Sequence, residues 1–169
     1  MKHKFGCENN LNKCAFLLRT MGSRLEKLFV DVFDLVKNSP TAPEFIRNGP
    51  TGIPGIDLVI AGFPCQDLST LTPWSRLFCN CINEAGGRTG GVFQAVLDLM
   101  RRFDIPMCIM ENVDALSKVN RRTGHRNSDA VQIKLAIELN MVSVILRLQS
   151  FVLRQVSATH PIVHHRFDP

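Results

Sequence analysis

The chain has 169 residues, 45% of them hydrophobic, with 20 Lys+Arg against 15 Asp+Glu and a formal charge of +5. That length and apolar content suit one folded domain and exclude a disordered or low-complexity chain; no run approaches the roughly 20 apolar residues of a membrane span. The cationic excess is compatible with a polyanionic partner without demanding one.

In chain order, residues 2–8 read as a short strand. Asn9-Asn10 then cap a helix to about Thr20, with Leu11, Cys14, Ala15 and Leu18 along one face. Lys27-Leu28-Phe29-Val30 reads as a strand running into Asp31-Val32-Phe33-Asp34. Residues 38–55 hold four of the nine prolines together with Gly49, Gly52 and Gly55, which predicts a loop. A strand over Asp57–Phe63 follows, and residues 70–90 read as irregular, with Pro73, Trp74 and Gly86-Gly87. Gly91–Arg102 predicts a helix with Val92, Ala95, Val96 and Leu99 on its apolar face. Met107–Met110 reads as a strand, Asn127 or Ser128 caps a helix through Leu139, and Met141–Leu146 reads as a strand again. Strands alternating with helices predict an α/β fold, a mostly parallel sheet with helices on both faces.

The six cysteines (Cys7, Cys14, Cys65, Cys79, Cys81, Cys108) lack the paired spacing of a zinc site, and three of the five histidines fall in the tail without ligand partners at usable spacing. No metal is therefore expected, and the thiols read as free. The N-terminus, Met1-Lys2-His3-Lys4-Phe5-Gly6, lacks the apolar core of a signal peptide, which points to an intracellular protein. Cys65 differs from the other thiols in its setting. The apolar run Asp57-Leu58-Val59-Ile60-Ala61 ends in Gly62-Phe63-Pro64-Cys65, so the thiol leaves the carboxyl end of a strand, where open α/β sheets bind ligands. Pro64 restricts its own φ and biases Phe63 towards extended backbone, which limits the direction of the turn. Met107-Cys108-Ile109-Met110-Glu111 delivers a carboxylate to a second strand end. The pair offers a nucleophile and an acid.

Gly62-Phe63-Pro64-Cys65-Gln66-Asp67-Leu68-Ser69, followed by Glu111-Asn112-Val113, resembles the cytosine-C5 DNA methyltransferases, which carry a G-[FP]-P-C-Q-x-[FL]-S loop and a later Glu-Asn-Val strand end. Phe5-Gly6-Cys7-Glu8-Asn9, Phe29-Val30-Asp31-Val32 and Gly87-Arg88-Thr89-Gly90-Gly91-Val92-Phe93 resemble three further segments of that family. The resemblance implies an incomplete Rossmann-like fold that uses S-adenosylmethionine to methylate cytosine in double-stranded DNA through a covalent Cys–C6 intermediate. Cys65 is then the nucleophile, Glu111 holds the base edge, and Asn112 braces the turn. Glu8 and Asp31 would take the ribose and the adenine amine, with Val32, Phe63, Pro64 and Thr89 completing the cofactor site. Gln66, Ser69, Arg121 and Gln155 would meet DNA. The expected compartment is the nucleus in a eukaryote and the cytoplasm in a bacterium.

Three departures accompany the match. No F-x-G-x-G turn precedes Phe5, so the chain opens at what resembles the family's second strand, and a gap in the sheet is expected beside it. Ser157 and Thr159 stand where the family's Q-x-R-x-R has arginines. No target-recognition domain follows Pro169. Residues 1–148 are accordingly expected to form a partial catalytic domain and 149–169 a degenerate tail, with a catalytically inactive nucleic-acid-binding remnant as the alternative. A Cys-His hydrolase would need His125 or His160 near Cys65.

Overall fold

The computed structural model describes residues 3–37, 39–46, 49–68, 81–119 and 123–141. Strand β1 (His3–Cys7) and strand β2 (Leu25–Phe29) pair in parallel, Phe5 opposite Lys27 and Cys7 opposite Phe29, with helix α1 (Leu11–Met21) as the crossover. Asn10 starts α1 as its sequence suggests: its Oδ1 accepts the backbone N–H groups of Asn12 (3.0 Å) and Lys13 (3.2 Å), donors that the first helical turn otherwise leaves open. Gly22, at φ +52, turns the chain out of the helix. Cys14, Leu17, Leu18 and Met21 lay α1 against Leu25 and Leu28 of the sheet.

Asp31 caps the short helix α2 (Val32–Val36) by accepting from Phe33 N–H. The expected loop over 38–55 is instead an antiparallel hairpin, β3 (Thr41–Glu44) and β4 (Gly49–Gly52), that extends the first sheet in the order β1-β2-β3-β4. Proline density was misleading because Pro43 and Pro50 fall opposite one another, concentrating both missing donors at one step of the ladder. Ala42 is buried there beside Phe29 and Leu35.

A second sheet holds β5 (Leu58–Gly62) and β6 (Met107–Glu111), parallel and in register from Leu58–Met107 to Gly62–Glu111. Their connection includes helices α3 (Cys81–Glu84) and α4 (Gly87–Arg102). Helix α4 starts four residues before the apolar pattern indicated, because Gly87 to Gly90 turn helical against α3: a Cβ on Gly90 would lie 2.0 Å from the Cys81 carbonyl oxygen. Helix α5 (Asn127–Leu139) follows β6, with Arg126, not Asn127 or Ser128, at its N-cap position. Gln94, Asp98, Arg101, Lys134 and Glu138 link α4 to α5 through a polar network, and those cations and Gln94 hold the Glu138 carboxyl below its ordinary range despite its partial burial.

The expectation of a mostly parallel sheet is thus corrected in part. Among the described residues, two of the four strand pairings are antiparallel, and the strands form two sheets. Among the described residues, β1 pairs only with β2 and β5 only with β6, so the division falls where the resemblance expects another strand. One core still serves both. Val96, Leu99 and Met100 of α4 pack with Phe5, Cys7 and Phe29 of the first sheet and with Val59, Ala61 and Met110 of the second. Helices cover both faces of β1–β2, but β5–β6 has helices on one face only among the described residues. Ile60, Ile109 and Met107 on the other face remain 65%, 55% and 54% exposed.

Candidate functional site

The chain leaves β5 at Gly62 and turns through Phe63-Pro64-Cys65-Gln66-Asp67-Leu68. Phe63 and Leu68 are both buried in one apolar cluster with Cys81, Ile82, Phe93 and Leu97, and the Phe63 and Phe93 rings lie 5.5 Å apart. Burying both ends of the turn raises its middle: Cys65 is half-buried and Gln66 exposed. Leu68 N–H closes the turn on the Cys65 carbonyl at 3.0 Å.

Glu111 stands at the matching end of β6. Gly62 and Glu111 are direct cross-strand partners, and a Cβ on Gly62 would meet Glu111 Oε2 at 3.4 Å, so the carboxylate lies across the glycine that precedes the turn. Asn112 joins the two strand ends. Its Nδ2 donates to the Phe63 carbonyl at 2.9 Å, and its Oδ1 accepts Val113 N–H at 2.9 Å. An amide supplies a donor and an acceptor at once, which neither Asp nor a hydroxyl of this reach provides in the same geometry.

Glu8 and Asp31 come together at the adjacent carboxyl ends of β1 and β2. Glu8 N–H donates to the Phe29 carbonyl, one Glu8 carboxylate oxygen takes Asn10 N–H at 2.9 Å, and Lys13 Nζ lies 3.9 Å from the other. Burial, with Asp31 and Glu8 nearby, pushes the Cys7 thiol up to about 12, so this cysteine is a protonated apolar filler beneath the two acids. The acceptor set fits the hydroxyl-rich and amino end of a nucleoside: two partly exposed carboxylates on neighbouring strand ends, with Val32 beside them against the core. Phe63 and Thr89, expected on the cofactor side, are both buried. Phe63 is a core residue, and Thr89 is fully buried with its hydroxyl facing the Cys65 loop.

Asp67 is the residue the sequence reading passed over. The residue is 7% exposed, its Oδ2 accepts Thr89 N–H at 2.7 Å, and its own N–H donates to Thr89 Oγ1 at 3.3 Å. A signal for it did exist: the Gly86-Gly87 start of α4 has no side chain able to cap it. Ser69, Arg121 and Gln155, the strand expected over 141–146 and the 149–169 tail lie wholly or almost wholly outside the described residues. No group of three or more His, Cys, Asp or Glu residues suited to a metal, and no helix long and apolar enough to cross a membrane, occurs among the described residues.

A family model for the C-5 cytosine-specific DNA methylases matches residues 20–135, more than half of the chain. No curated protein and no solved structure shows significant similarity. The matched span holds Asp31, the Cys65 turn, Thr89 and the Glu111-Asn112 strand end that the fold brings together, and the chain belongs to the C-5 cytosine-specific DNA methylase family.

Proposed function

We propose that the chain methylates C5 of cytosine in DNA, with Cys65 as the nucleophile and Glu111 as the residue that holds the base. The observation that carries this reading is the pairing of Gly62 with Glu111, which sets an acid beside the origin of the Cys65 turn, with Asn112 fastening one to the other. A cytosine flipped from the duplex would enter between them. Cys65 Sγ, as thiolate, bonds to C6 while the C5–C6 π electrons move to C5. Glu111 hydrogen-bonds the N3 edge of the ring and stabilises the charge that develops there. S-adenosylmethionine, when bound, supplies the methyl group to C5 and leaves as the thioether. The C5 proton then departs to a base, the C5–C6 double bond re-forms, and Sγ leaves C6 as thiolate.

Glu8, Asp31 and Val32 would hold the adenosine end of the cofactor. Pro64 shapes the loop between cofactor and base, and Phe63 and Thr89 act from beneath it. Gln66, Ser69, Arg121 and Gln155 would contact DNA. The test is a denaturant-resistant adduct between the purified chain and duplex DNA containing 5-fluorocytosine, in the presence of S-adenosylmethionine. Fluorine blocks loss of the C5 substituent, so the Sγ–C6 bond persists. We expect an adduct that requires the cofactor and disappears in Cys65→Ala. A folded chain that retains DNA but yields no adduct would identify an inactive nucleic-acid-binding relative.

A further inference from the structure

The Cys65 turn is held at three points. Asn112 holds its entrance at the Phe63 carbonyl, Leu68 N–H closes it on Cys65, and Asp67 holds its exit against helix α4. The third tie is unlike the others because it joins the turn to a helix 22 residues further along the chain. Gly86, at the N-cap position of α4, contributes no side-chain cap, so the first N–H groups of the helix need an acceptor from elsewhere. Asp67 provides it. Its carboxylate takes the N–H of Thr89, the third residue of the helix, the donor that a local capping side chain would ordinarily satisfy. Thr89 returns the contact through Oγ1, which accepts Asp67 N–H. Both side chains are buried, so water does not compete for either bond.

We infer that the reciprocal Asp67–Thr89 pair is a positioning device for Cys65, locking the nucleophile turn to the start of α4. This rests on the reading of Cys65 as nucleophile. A displacement of α4 must carry Asp67 with it, and Asp67 is two residues from the thiol. Both residues are buried and bonded to each other, so they act on the thiol through the backbone of the turn. The pair also gives the buried Asp67 side chain a hydrogen-bonding role at the start of a 16-residue helix that lacks a cap of its own.

Four variants test the assignment: Asp67→Ala, Asp67→Asn, Thr89→Val and Thr89→Ser. Thr89→Val preserves shape and removes Oγ1, whereas Thr89→Ser and Asp67→Asn keep an acceptor. Two measurements are made on each, with circular dichroism to verify folding. The first is the first-order rate of adduct formation on saturating 5-fluorocytosine DNA, beside the affinity for the same DNA. The second is amide hydrogen exchange at Leu68 and Thr89. Loss of a hydrogen bond to a buried group predicts about a tenfold slower adduct rate in Thr89→Val and more in Asp67→Ala. DNA affinity should stay within about twofold, because the contact loses geometry rather than binding area. Thr89→Ser should recover most of the rate. Leu68 exchange should rise about tenfold in Thr89→Val and Asp67→Ala only. An adduct rate in folded Thr89→Val equal to that of the parent chain overturns the proposal, as does a loss that Thr89→Ser shares in full. If the parent chain itself forms no adduct, the methylation reading fails, and the exchange measurement alone decides the clasp: unchanged Leu68 protection in Asp67→Ala overturns it.

Discussion

Cys65 and Cys7 are both cysteines at strand ends, yet they stand in different surroundings. Cys7 lies under Glu8 and Asp31, where burial and negative charge keep it protonated; Cys65 rides a turn whose apolar ends are anchored below it. Alkylation at pH 8 followed by peptide mass mapping should therefore label Cys65 at least about tenfold faster than Cys7. Cys7 also makes a pH prediction. Its folded value is raised from 9.0 to about 12, so between those limits the unfolded chain loses a proton that the folded chain keeps. Stability contributed by the neutral thiol is complete below pH 9 and falls as pH rises towards 12, by at most about 4 kcal/mol. Denaturant melts of Cys7→Ala over this range should show a flatter alkaline slope than the parent chain. Asn112→Ala leaves the Phe63 carbonyl without its donor and should cost roughly 1 kcal/mol of stability while slowing adduct formation.

Helix α4 organises the molecule at the next scale, since it packs against both sheets and abuts the Cys65 turn. Its N-terminus depends on Gly90. Replacing that glycine by alanine places a methyl group 2.0 Å from the Cys81 carbonyl oxygen, so α3 and α4 must separate. A loss of about 3 kcal/mol is expected for Gly90→Ala in a denaturant melt. By contrast, Asn10→Ala at the start of α1 should cost only about 1 kcal/mol, because water can replace the lost acceptor at that exposed cap. The element boundaries that sequence misplaced have local reasons. The β3–β4 hairpin carries two prolines that the strand pattern excludes until their cross-strand register is known, and α4 begins in a Gly-Arg-Thr-Gly run whose helicity depends on Asp67 and α3.

The whole molecule presents an apolar sheet face that ends at the site. Leu58, Ile60 and Gly62 alternate out of β5, and Met107, Ile109 and Glu111 out of β6, so the exposed Ile60 and Ile109 continue directly into the Gly62–Glu111 pair. Large exposed apolar side chains on paired strands promote association. The double substitution Ile60→Thr with Ile109→Thr should lower self-association in light scattering and shift the melting temperature by only a few degrees, since both side chains are more than half exposed.

Local pattern was enough to identify β1, β2, β5 and β6 as strands and to place Cys65 and Glu111 at the ends of the last two; Glu8 and Asp31 gained meaning only through the family resemblance. That pattern sufficed because alternation, turn residues and the residue after each apolar run are short-range properties, readable within a dozen positions. The same short range explains what it left out. That Asn112 would reach the Phe63 carbonyl, that Asp67 would cap a helix begun twenty residues later, and that the strands would divide into two sheets over one core are long-range relations. Each depends on buried polar groups finding partners and apolar faces finding cover across the chain, and those demands exist only once the chain has closed on itself.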